Sequence, residues 1–109
     1  MIVKPTELWV LGRPVRIVYD ASMKDYGECD YDTRVLKIRA GLDHSEDRDT
    51  TLHELMHMLD HLGDTGMKER QVRVLATLLY ATLVDNPTLI EWLMDQGSSQ
   101  TPATQASSL

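Results

Sequence analysis

The chain contains no phenylalanine and a single cysteine, Cys29, among its 109 residues. One cysteine excludes an internal disulfide and suits a reducing compartment, so the expected location is the cytoplasm. It also leaves no thiolate cage for a metal, and any ion would have to rest on nitrogen and oxygen. Basic residues are in the minority, with 11 Lys and Arg against 17 Asp and Glu and a net charge of −6. That balance is poorly matched to phosphate backbones or anionic lipid surfaces, so neither nucleic acid nor membrane is expected as a partner. Long apolar runs are missing too: nothing approaches the roughly 20 residues that span a bilayer. The opening "MIVKPTELWV" lacks the apolar core of a secretory signal.

What is there reads as one ordinary soluble domain, 42% hydrophobic and 26% charged. The expected domain covers residues 1–96. The small, polar stretch 97–109, "GSSQTPATQASSL", is expected to be a disordered tail. Two β-rich runs flank Gly12-Arg13, a type II′ hairpin signal, and predict strands near 7–11 and 14–19. A second pair is predicted near 27–30 and 34–39, joined by the polar turn Tyr31-Asp32-Thr33. Leu36 and Ile38 share one face of the latter strand, with Arg34, Lys37 and Arg39 charging its exterior. Residues 20–26 are compatible with a loop or one helical turn.

From Ser45 the period changes to that of a helix. Ser45 serves as N-cap, Leu52, Leu55, Leu59 and Leu62 mark the apolar face, and Gly63 stops the run, giving a helix over about 46–62. A second helix, about 67–85, is almost continuously apolar from Val72 to Val84 and is therefore expected to be buried on most sides. Asn86-Pro87 ends it and opens a third helix carrying Leu89, Ile90, Trp92 and Leu93. The class is α+β: about four strands packed on the first helix and a following helical hairpin.

The chemistry concentrates in "TTLHELMHMLDH". His53 and His57 stand four residues apart, so both imidazoles project from one helical face about 6 Å apart along the axis and can converge on one ion. Glu54 lies between them, completing H-E-x-x-H. Its side chain leans beside the ion rather than toward it, placed to take a proton from a water held there. Nitrogen ligands with an open position suit zinc. A third ligand is needed. His61 continues the series, but His53 and His61 are separated by about 12 Å along a straight helix, and no breaker intervenes before Gly63. The short connection from Gly63 to Gly66 makes the two helices antiparallel neighbours. Pairing positions about Gly63 sets residue 57 opposite Glu69, a carboxylate placed to complete a His–His–Glu site. Asp64 is the alternative third ligand, and Asp60 or Asp64 could orient an imidazole. Arg73, Tyr31 and Tyr80 are candidate oxyanion donors. Cys29 reads as a small buried hydrophobe, Met56, Met58 and Met67 as core and rim, and His44 as a loop residue preceding the helix.

"TLHELMHMLDHLG" followed by "KERQVRVLATLLYATLVDNP" resembles the zinc-dependent H-E-x-x-H metallopeptidases, the zincins, and more narrowly the small phage- and prophage-encoded proteins related to ImmA/IrrE-type peptidases. The similarity covers roughly residues 7–95. It implies zinc held by His53, His57 and Glu69, Glu54 as general base, and hydrolysis of a peptide bond in a protein or peptide, within the host cytoplasm if the chain is phage-encoded. Larger relatives space the second histidine and the glutamate further apart, so Glu69 matches the small variants. The resemblance further implies a small mixed sheet against the active-site helix whose edge strand can pair with extended substrate; "TRVLKIR", 33–39, is the expected edge. Two other functions compete with the peptidase: a phage accessory module that binds a host regulator around a structural metal, and a small metal-dependent endoribonuclease. The glutamate after His53 and the acidic charge weigh against the last.

Overall fold

The computed structural model describes residues 2–97. The expected disordered tail, apart from Gly97, therefore lies outside the described residues. The chain runs β1 (Glu7–Val10), β2 (Arg13–Asp20), β3 (Gly27–Asp30), β4 (Val35–Arg39), α1 (His44–Gly63), α2 (Glu69–Asp85) and α3 (Pro87–Met94), an α+β arrangement. Residues 20–26 hold no helical turn; the Asp20 carboxylate accepts from the Ser22 amide at 2.8 Å and its hydroxyl at 2.7 Å, forming a side-chain-closed turn.

The sheet order is β1-β2-β4-β3. β1 and β2 form an antiparallel hairpin in which Val10 faces Arg13. Its two central residues are Leu11 and Gly12, with φ of 52° and 74°. Both are positive, which makes this a type I′ turn and not the type II′ turn expected from Gly12-Arg13; the loop sits one residue earlier. β4 runs parallel to β2, with Ile17 opposite Leu36, and antiparallel to β3, with Cys29 opposite Leu36. It is therefore an interior strand. The expectation of an edge at 33–39 is overturned: the sheet edges are β1 and β3. Leu36 and Ile38, both fully buried, explain why, since a strand sealed on one face and flanked on both sides protects them best.

Alternation decides the core. Val15 and Ile17 of β2 and Leu36 and Ile38 of β4 turn inward to meet Met58 of α1, while Arg16 and Lys37 point out. Each such aliphatic side chain contributes about 1.5–3 kcal/mol by leaving water.

α1 begins earlier than expected. Asp43, not Ser45, is the N-cap; its carboxylate accepts from the Glu46 amide at 2.8 Å. An anionic cap satisfies an orphan amide and complements the positive helix end together, and His44 becomes the first helical residue instead of a loop residue. The helix takes in Gly63 as its last residue and is capped by Asp64, in the left-handed conformation with φ 50°. The larger correction concerns α2. Only Val72 and Ala76 are buried in it, whereas Val74, Leu75, Leu78, Leu79 and Val84 are exposed. One seam faces α1; among the described residues no second layer covers the rest. No helix among the described residues is long and apolar enough to cross a membrane.

Candidate metal centre

α1 carries His53 and His57 one turn apart on the side facing α2. Their Nε2 atoms lie 3.1 Å from each other and the rings meet at 60°. Glu69, the first residue of α2, spans both: Oε1 is 2.9 Å from His53 Nε2 and Oε2 is 2.7 Å from His57 Nε2. All three side chains can present a ligand atom within 4.8 Å of the others.

The connection between the helices determines where Glu69 arrives. The Asp64 amide donates back to the carbonyls of Asp60 and His61, closing α1. The Asp60 carboxylate then takes up the loop, accepting from the Met67 amide at 2.9 Å and from the Thr65 hydroxyl. These bonds, with His57 nearby, hold its carboxyl below the ordinary carboxylate range. Gly66 supplies the positive φ, 72°, that the tight passage requires. The Lys68 amide donates to Gln71 Oε1 at 2.7 Å, starting α2. Asp60, expected as a partner for an imidazole, instead fixes the loop that delivers the third side chain.

Glu54 lies on the sheet side of the same turn and is only 7% exposed. Burial, then the negative charges of Glu69, Glu28 and Asp25, push its carboxyl up to about 7. Gly27 makes this position possible. A Cβ there would lie 2.7 Å from Glu54 Oε2 and 2.8 Å from Thr50 Cγ2, so only glycine lets β3 approach α1 so closely. The sequence reading passed over Gly27. A glycine inside a strand pattern was the available signal, since it often marks close approach of backbone to another group.

The other candidates separate. Asp64 is the exposed cap of α1 and His61 stacks on Tyr31, with ring centroids 4.3 Å apart and planes at 13°. Neither joins the His53, His57 and Glu69 group. Burial first, then Cys29, Asp60, Glu54 and Glu69, raise the Tyr31 phenol above the ordinary range. Tyr80 lines hollows on another side of α1, beside Asp47, Thr51 and Ser45, away from the histidines. Arg73 is exposed on α2 and enters no ion pair among the described residues. Cys29 is half-buried against the core, and burial first, then Glu54 and Asp30, push its thiol up to about 12, which makes it inert.

The three side chains could hold a metal ion. Tetrahedral coordination at about 2.0–2.1 Å places ligand atoms ~3.3 Å apart, and one atom from each of the three side chains already lies within 4.8 Å of the others. Glu69, with a side chain 57% exposed, has the freedom to adjust. Comparison of the chain with family models, with curated proteins and with solved structures finds no match.

Proposed function

We propose that this chain is a zinc-dependent peptidase of the kind its H-E-x-x-H segment resembles, cutting a protein or peptide substrate. The observation that carries the reading is the convergence of His53, His57 and Glu69 across two helices with a buried carboxylate, Glu54, beside them. Two imidazoles and one carboxylate with room for a further ligand are the donor set of catalytic rather than structural zinc. A zinc ion bound there supplies Lewis acidity toward a carbonyl and lowers the pKa of water to about 7.

The chain's own part is proton handling and orientation. Glu54, desolvated on the sheet side, accepts a proton from the attacking water and returns it to the departing amide nitrogen. Gly27 leaves the room on the β3 side that this carboxylate occupies. Tyr31, held flat on His61, is the better placed of the two candidate phenols to donate to a developing oxyanion. β3, the edge strand packed against α1, offers its free side to an extended substrate by strand addition, a role moved here from 33–39.

Zinc content and cleavage in wild type and Glu54→Gln test the scheme. The variant should keep one equivalent of zinc and lose cleavage by about a thousandfold or more. Equal cleavage by the two proteins removes Glu54 from the reaction. The rival reading, an accessory binding module around a structural metal, draws support from the exposed apolar face of α2. It requires a fourth protein ligand, and the described residues gather three. Intact recovery of a bound partner, equally well with Glu54→Gln, would favour it.

A further inference from the structure

The outward face of α2 has no counterpart within the described chain. At about 100° per residue, Arg70, Val74, Leu78, Ala81 and Asp85 fall in one stripe opposite the Val72 and Ala76 seam that meets α1. All five are exposed, and Leu78, at the stripe's middle, is 59% exposed. The spacing 74, 78, 81 and 85 alternates four, three and four, the interval at which one helix seats knobs into another. Val74 and Leu78 on the stripe, with Leu75 and Val84 to either side of it, are all left in water. α3 likewise buries no residue, and Trp92 is 72% exposed.

We infer that this face is covered by a second copy of the chain, α2 against α2 in antiparallel, about a twofold axis between Thr77 and Leu78. Charge on the stripe selects a copy of itself over an unrelated partner. Its N-terminal end is basic, Arg70, and its C-terminal end acidic, Asp85, and neither forms an ion pair among the described residues. An antiparallel twofold pairing centred between residues 77 and 78 brings residue 70 opposite residue 85 and residue 74 opposite residue 81, so Arg70 of each copy meets Asp85 of the other at both ends of an apolar centre. This is the self-complementarity that an isologous interface demands. Glu69 points toward α1, on the opposite side of the helix from the stripe, so pairing leaves the His53, His57 and Glu69 group open. The inference therefore stands whether or not the chain cleaves peptides.

Sedimentation equilibrium on the full chain tests it. The wild type should weigh twice the chain mass of 12.4 kDa. Leu78→Asp sets two carboxylates against each other beside the axis and should yield monomer with unchanged helical circular dichroism. Arg70→Asp or Asp85→Arg alone should each weaken association by about tenfold or more, and the two combined should restore it. A wild type that stays monomeric up to about 100 µM overturns the inference and gives the face to a different protein. A dimer indifferent to Leu78→Asp, or single reversals not rescued by the double, overturns it as well.

Discussion

The sheet with α1 and the α2–α3 arm are both rich in apolar side chains and use them differently. Val15, Leu36, Ile38 and Met58 are sealed between sheet and helix, while Leu75, Leu78, Val84 and Trp92 remain in water. The difference lies in periodicity, not in hydrophobicity. In β2 and β4 every second residue is apolar, so one face is committed to the core and the other to solvent. In α2 nearly every residue from 72 to 84 is apolar, but α1 can cover only one seam of a cylinder. The sheet half holds the core, and the arm contributes one seam, the third side chain of the candidate metal centre and an uncovered face.

Substitutions should separate the halves. Leu36→Ala opens a cavity in the sealed half and should destabilise the protein by about 2–5 kcal/mol in urea unfolding. The junction should respond to pH. In metal-free protein Glu54 keeps its proton up to about 7, whereas the unfolded chain loses it near 4.5. The folded state thus binds more protons between those values, and stability should fall as pH rises from about 4.5 to about 7, by roughly 3 kcal/mol, and change little above. Glu54→Gln should flatten that slope; an unaltered slope would place its origin elsewhere. Zinc at a hundred times its dissociation constant should raise the stability of the folded state by about 2.7 kcal/mol. Glu69→Gln should largely remove that gain without lowering metal-free stability comparably, because the arm's carboxylate is exposed. Val84→Thr, on the uncovered side of α2, should change unfolding of the monomer by less than about 0.5 kcal/mol. A penalty near that of Leu36→Ala would mean the arm is as sealed as the sheet.

Much of the sheet half and the site's two histidines were legible because local signals and tertiary needs agree there. Leu36 and Ile38 alternate with charges, and His53 and His57 repeat at one helical turn. Glu69 was legible through loop length alone, since a short connection forces antiparallel neighbours. Misreadings arose where several residues compete for one role or where a distant element decides. Asp43 and Ser45 are both good caps, and the charged one won. The place of β4 inside the sheet follows from what covers it, which no local window contains. The exposure of α2 was misread for the same reason: an apolar helix announces that it wants cover, not that the chain supplies it. Gly27 makes sense only once Glu54 is seen behind it.

The insertion of β4 between β2 and β3 also sets an order of events. Until the chain has grown past Arg39, the β1–β2 hairpin has one side with nothing to pair, and the final neighbour must thread in alongside rather than extend the end. Contacts of that separation close late. A nascent chain stalled before residue 39 would display an open, valine- and isoleucine-rich ribbon, the kind of surface that chaperones bind and aggregates grow from.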